Sequence, residues 1–288
     1  MSTTLQPDPS MIGGVAKVPL ARLPDPRTIF ATRAGRLEFL AGYNANLAPY
    51  LNFLAAICRA QDAQIEQARA HRMPPMDRDA MRAGLTLVLD RLLDKLAGLE
   101  MPEPARLALV ALREASAQDR DWVMTNVLTD TIPEDSVAPH LFAAAALQVH
   151  AAQLAATLPV DRLVPIRVGT CPACGGRPAS SMVTENMGAE GARYCSCATC
   201  QTLWNEVRVK CTCCGSTAGI TYRSVETGEA TIKAECCREC GKWVKIMYQN
   251  KNPTLEPIAD DVASLGLDLM MQGTEWTRGS YNPFLAGY

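Results

Sequence analysis

Eleven of the twelve cysteines in this 288-residue chain fall in the 70 residues between Cys171 and Cys240. They contain four Cys-x-x-Cys pairs: Cys171/Cys174, Cys197/Cys200, Cys211/Cys214 and Cys237/Cys240. Adding 40 to the first four positions gives the second four, so each half is a pair, a 22-residue gap and another pair. An internal repeat of this kind is one structural unit built twice.

Two cysteines three apart on a tight turn can aim both sulfurs at one ion, and a second such turn completes a tetrahedral four-thiolate site. Cys171, Cys174, Cys197 and Cys200 are therefore expected to hold one metal ion. Cys211, Cys214, Cys237 and Cys240 are expected to hold the other. Interleaved pairing, as in cross-braced folds, conflicts with a tandem unit that should be complete in itself. The turns close best with a positive φ after the second cysteine, which glycine tolerates. Gly175, Gly215 and Gly241 stand there, but the second turn has Gln201, the one departure from the pattern. Disulfides are the competing use of so many cysteines, yet such frameworks belong to small secreted domains. No βαβ pattern surrounds any pair, which argues against a thioredoxin-type redox role. Cys195, Cys213 and Cys236 are left over. They are read as small, half-buried residues of the turns, the alternative being spare thiols that exchange ligands or accept sulfur.

Charge excludes little by itself. Residues 167–251 carry 11 Lys/Arg against 7 Glu, and the rest carries 17 against 23 acidic groups, a mild asymmetry that does not make a nucleic-acid surface. The first residues lack a basic segment followed by an apolar one, so no signal peptide is expected. No segment reaches the roughly 18 uninterrupted apolar residues of a membrane helix, so no membrane insertion is expected. The compartment expected is the cytoplasm, where thiolates stay reduced.

The fold class expected is α+β: an N-terminal all-helical bundle, two tandem rubredoxin-like or zinc-ribbon metal modules, and a C-terminal helix. Residues 1–25, rich in Pro, Gly and Ser/Thr, read as a flexible arm. Residues 26–165 read as the helical domain, in five to seven helices. Phe30, Ala34, Leu37 and Leu40 mark the first by their spacing, and further helices are expected over about 46–71, 77–96, 105–118, 121–128 and 137–158. Cys58 lies on an apolar stripe and is read as core. His140 and His150, ten apart on the last helix, share no face and are read as ordinary histidines. The first four-cysteine ribbon is expected over 166–210 and the second over 211–252, with strands at Tyr194, 203–209, 220–223, 230–234 and 243–248. Ribbons this small bury little apolar area, so bound metal should supply much of their stability. Residues 253–288 should form a helix with Ile258, Val262, Leu265 and Leu269 on one face, ended by Gly273, and an aromatic tail that packs back on the ribbons, the alternative being a partner-binding patch.

These residues resemble a known family, the formate dehydrogenase accessory proteins of the FdhE type. The resemblance rests on Phe30-x-x-Arg33-Ala34-x-Arg36-Leu37, on Gly169-Thr-Cys-Pro-Ala-Cys-Gly-Gly-Arg-Pro178, and on Cys237-Arg-Glu-Cys-Gly-Lys-Trp-Val-Lys-Ile-Met-Tyr248. It continues through Tyr194 to Trp204, Ala259-Asp-Asp-Val and Asn282-Pro-Phe-Leu. It implies a cytoplasmic maturation factor for respiratory formate dehydrogenase that binds the catalytic subunit before export. It also implies rubredoxin-like cysteine modules holding iron, although thiolates alone accept zinc as readily. The other functions consistent with the residues are a zinc-ribbon nucleic-acid-binding protein and a rubredoxin-like electron carrier. No Ser/His/Asp set, phosphate loop or paired-carboxylate motif occurs, so no enzyme activity is expected.

Overall fold

The computed structural model describes residues 18–68, 78–185, 191–225 and 230–285. Helix α1 (Pro26–Tyr43) starts where Asp25 caps the backbone N–H of Arg27 and Pro26 pre-sets the first turn. It is followed by α2 (Ala48–Ala68), α3 (Arg78–Leu96), α4 (Glu103–Glu114), α5 (Ala117–Thr129) and α6 (Val137–Ala155). Helix α6 is the axis of the bundle. From His140 to Ala155 every side chain except Gln153 is buried, and α1 to α5 all pack on it. Its run of alanines allows that many neighbours close approach, because short side chains leave shallow grooves.

Among the described residues eight strands form one sheet, the first of them preceding α1 and the others following α6. They are β1 (Ala21–Arg22), β2 (Pro178–Thr184), β3 (Ala192–Cys197), β4 (Leu203–Glu206), β5 (Ile220–Arg223), β6 (Ile232–Cys237), β7 (Lys242–Tyr248) and β8 (Thr277–Arg278), in the order β1-β4-β3-β2-β7-β6-β5 with β8 beside β7. The 40-residue offset holds at strand level: β3 displaced by 40 is β6 residue for residue, and β4 falls inside β7. Each unit is an antiparallel meander. The first strand of one joins the last strand of the other by the parallel pairing of Ser181, Met182 and Val183 with Ile246, Met247 and Tyr248. The ribbons expected over 166–210 and 211–252 thus share a single sheet. Arg193, fully buried in the first, pairs with Glu235 of the second at 2.8 Å.

Several expectations need correction. The arm expected over 1–25 is in part a strand, since β1 pairs with β4 at Ala21↔Trp204 and Arg22↔Leu203; residues 1–17 lie outside the described residues. Strand β2 was not foreseen. The strand expected over 203–209 stops at Glu206 because the Arg193 guanidinium takes the carbonyls of Arg208 and Lys210, and Val207 and Val209 are exposed. The C-terminal helix is broken into α7 (Ala259–Ala263) and α8 (Leu265–Gln272). Buried Lys245 donates to the Asp261 and Ser264 carbonyls at 2.6 and 3.3 Å, which diverts them from a continuous helical ladder. The break turns Leu269 outward and puts Leu267 and Met271 against Trp243 and Trp276 instead.

The tail returns to both halves. Strand β8 lies along β7, Phe284 enters the bundle core, and Tyr50 donates to the Phe284 carbonyl at 2.6 Å. Four charges cluster behind it, three of them buried and that of Arg278 partly so. Lys245 lies 3.1 Å from Asp261 and 2.5 Å from Asp268, while Arg278 pairs with both carboxylates, so the cluster sums to zero. Burial opposes ionisation of Asp261, but Arg278 and Lys245 hold its carboxyl below the usual range. Among the described residues no helix is long and apolar enough to cross a membrane.

Candidate metal centres

Each Cys-x-x-Cys pair sits on a turn closed by its own backbone. Gly175 N–H donates to the Cys171 carbonyl and Cys171 N–H to that of Gly176, both at 2.9 Å. The second unit repeats this with Gly215 on Cys211 at 2.9 Å and Cys211 on Ser216 at 2.7 Å. Cys197/Cys200 and Cys237/Cys240 occupy the β3–β4 and β6–β7 hairpins. All four turns end in the left-handed region, with φ of 76° at Gly175, 81° at Gly215, 65° at Gly241 and 64° at Gln201.

The sulfurs gather in two sets: Cys171, Cys174, Cys197 and Cys200 in one, Cys211, Cys214, Cys237 and Cys240 in the other, each set within 4.8 Å throughout. Cys171 to Cys200 is 3.7 Å and Cys174 to Cys197 is 3.4 Å; Cys211 to Cys240 and Cys214 to Cys237 are both 3.7 Å. A disulfide needs about 2.05 Å, so these are not bridges. A tetrahedral ion with metal–sulfur bonds of about 2.3 Å has a sulfur–sulfur edge of about 3.8 Å, close to the spacing observed. The donor set therefore fits a four-thiolate ion such as zinc or iron. Backbone N–H groups point at the sulfurs, from Gly176 to Cys174 at 3.3 Å, from Thr199 to Cys197 at 3.4 Å and from Cys213 to Cys211 at 3.3 Å. Such donors stabilise thiolate charge.

The two sets differ in surroundings. Cys171, Cys197 and Cys200 belong to the main apolar core with α6 and Phe284, and Cys174 is half-buried. The bundle grips the second turn of this set: Gln148 on α6 donates to the Ala198 carbonyl at 2.9 Å, and Arg33 on α1 donates to Gln201 Oε1 at 2.6 Å. Arg33 is itself fully buried and also donates to Glu256 at 3.0 Å. This explains the departure at Gln201, whose side chain also donates to the Ala198 carbonyl at 3.1 Å; glycine could make neither bond. One helical turn on, Arg36 pairs with Asp260 through both guanidinium arms at 2.9 and 2.7 Å, so α1 also holds the start of α7. In the other set Cys214 is exposed and Cys240 half-buried, and Cys211 and Cys237 lie outside the apolar clusters.

Charge on the sulfurs follows these surroundings. Burial works against a thiolate at Cys197, yet hydrogen bonds from Cys171, Cys174 and Cys200 hold it well below the usual thiol range. The Cys213 thiol brings Cys211 down to about 4.

The leftover cysteines are not alike. Cys195 and Cys236 are fully buried in strands rather than half-buried in turns, and burial pushes them up to about 12 and about 11. Only Cys213 is a half-buried turn residue, with its sulfur beside Gly279 and Lys242. Cys58 is core on α2, and burial raises it to about 12. His140 and His150 are both buried in the bundle, and neither belongs to either sulfur set. Reasoning from the residues passed over Arg33, Gln148 and Arg193. The available signals were a lone arginine among the apolar positions of α1 and a glutamine inside an alanine-rich helix.

Three family models cover nearly the whole chain: FdhE, N-terminal, matches 18–168, FdhE, central domain, 170–208, and FdhE, C-terminal domain, 209–285. The Protein FdhE homolog of Rhizobium meliloti (strain 1021) is 53% identical over 99% of this chain and 98% of its own. Protein FdhE of Escherichia coli O9:H4 (strain HS) is 35% identical over 93% of this chain and 91% of its own. The crystal structure of the FdhE protein from Pseudomonas aeruginosa superposes with a TM-score of 0.78 at 30% identity, covering 93% of this chain and 99% of that one.

Proposed function

The chain belongs to the FdhE family of formate dehydrogenase accessory proteins, and from that premise we propose that it binds the catalytic subunit of a respiratory formate dehydrogenase in the cytoplasm, before export. On this reading Cys171, Cys174, Cys197 and Cys200 ligate one ion and Cys211, Cys214, Cys237 and Cys240 a second. Iron is the first choice, from the family's likeness to rubredoxin; zinc fits the same donors. The protein performs no turnover chemistry. Its ions shape a surface for the client.

The observation that carries this is the pairing of closed four-sulfur sets with clamps between the halves. Four thiolates fill a tetrahedral ion and leave no position for substrate or activated water. Arg33, Gln148 and Gln201 tie one of those sets to the bundle, so metal binding is coupled to the relative placement of sheet and helices. A nucleic-acid surface is less well supported. Arg193 and Lys245 of the cysteine-rich region are fully buried in internal ion pairs, which leaves fewer cations to meet phosphates.

The test is genetic and biochemical. Deleting the gene in the native host should abolish respiratory formate dehydrogenase activity while the catalytic subunit is still made, and the wild-type chain in trans should restore it. Undiminished activity in the deletion strain would refute the proposal.

A further inference from the structure

A four-thiolate ion leaves its site when an entering ligand reaches the metal or when a ligand turn opens, so exposure and local stability set the rate. The two sets differ in both respects. In the first, three of four sulfurs lie in the apolar core, and opening the turn at Cys197/Cys200 breaks the Gln148–Ala198 and Arg33–Gln201 bonds. The turn at Cys171/Cys174 leads directly to Arg177, which pairs with Asp130 of the bundle at 2.6 Å. In the second, Cys214 is open to solvent, and Cys240 on the other turn is half-buried like Cys174 of the first set. The turn at Cys211/Cys214 is closed by its own backbone bonds and held within the sheet by Arg193, which donates to the Lys210 carbonyl at 2.8 Å and to Thr212 Oγ1 at 2.9 Å, and none of these bonds reaches the bundle.

We propose that the two centres have different tasks: the first holds a permanent structural ion, and the second exchanges its ion with soft ligands, thiols or chelators, that approach from solvent. This rests on the reading of both clusters as four-thiolate metal sites. It makes the second centre the place where metal enters or leaves the folded protein, while the first keeps sheet and bundle joined. An entering ligand would meet the Cys214 sulfur first, and the ion's charge and oxidation state would not change.

The test uses the full chain loaded anaerobically with zinc and challenged with an excess of the chromophoric chelator 4-(2-pyridylazo)resorcinol, release being followed by absorbance. Two phases of equal amplitude are expected, separated on the order of tenfold or more in rate, because the fast one starts at a sulfur open to solvent, while the slow one requires hydrogen bonds between sheet and bundle to break. Cys214→Ser should halve the zinc bound and remove the fast phase, leaving the slow rate unchanged. Cys240→Ser should do the same from the other turn, which guards against a folding defect in either variant. Release of both ions in one phase, or a fast phase that survives both substitutions, overturns the assignment of tasks alone. Wild-type protein that binds fewer than two zinc ions overturns the four-thiolate reading as well.

Discussion

Replacing Gln201 by glycine separates two ways of reading the repeat. The three equivalent turns carry Gly175, Gly215 and Gly241, so agreement among the copies predicts a neutral or stabilising change. The structure predicts the opposite. Gln201 has φ of 64°, and relief of that left-handed backbone is worth about 1–2 kcal/mol. Glycine's extra freedom in the unfolded chain takes back about 0.4–1 kcal/mol. Against the remainder stands the bond from buried Arg33 at 2.6 Å, a charged hydrogen bond of about 1.5–3 kcal/mol. The bond from Gln201 to the Ala198 carbonyl contributes about 0.5–1.5 kcal/mol more. The net effect is a loss of about 2 kcal/mol. Urea unfolding of the metal-loaded protein measures it, with Trp122 reporting on the bundle and Trp204, Trp243 and Trp276 on the sheet. A cycle with Arg33→Met should return a coupling of about 1.5–3 kcal/mol. A Gln201→Gly protein as stable as wild type, or more so, would refute the reasoning.

Three further outcomes are expected. Lys245→Met leaves Asp261 and Asp268 to share Arg278, and should cost about 3–5 kcal/mol by thermal or urea unfolding; a loss below about 1 kcal/mol would mean that the buried cluster does not need its lysine. His140 accepts from Asn126 at 3.1 Å and donates to the Ser136 carbonyl, and burial holds its pKa below the usual value. Its contribution to stability is therefore complete above the unfolded value of about 6.5 and fades as pH falls below it, so His140→Gln should flatten the loss of stability between about pH 7 and 5. An unchanged difference between the two proteins across that range would remove His140 as a cause. Replacing Cys171 and Cys174 together by serine should empty the first centre and leave one ion per chain at the second, measured by elemental analysis; loss of both ions would show that the second centre depends on the first.

The cysteine frame was legible because metal-ligand turns and hairpins have fixed lengths. An offset of 40 that aligns sulfurs also aligns β3 with β6. The helices were legible from apolar spacing, to within a few residues at their ends. Strand β2 was not, for Pro178-Ala-Ser-Ser-Met-Val-Thr184 is buried throughout and so lacks the alternation that marks a half-exposed strand. Its parallel pairing with β7 joins residues some 65 positions apart, as in Ser181↔Ile246, and no local pattern encodes that. Strand β1 is two residues long, held by its register on Trp204 rather than by any propensity of its own. Gln201 was visible as an anomaly in the repeat. Its cause is Arg33, 168 residues earlier, and only the fold brings them together.

The central claim is that two four-thiolate centres shape this protein to hold a formate dehydrogenase subunit. Anaerobic affinity isolation from the native host, with metal analysis and sulfur-to-metal absorption spectroscopy on the same preparation, tests it most directly. The account predicts the catalytic subunit in the eluate, two ions per chain and four sulfurs around each, with a red colour if the ions are iron. A preparation lacking the catalytic subunit, or ions with fewer than four sulfur neighbours, would contradict it.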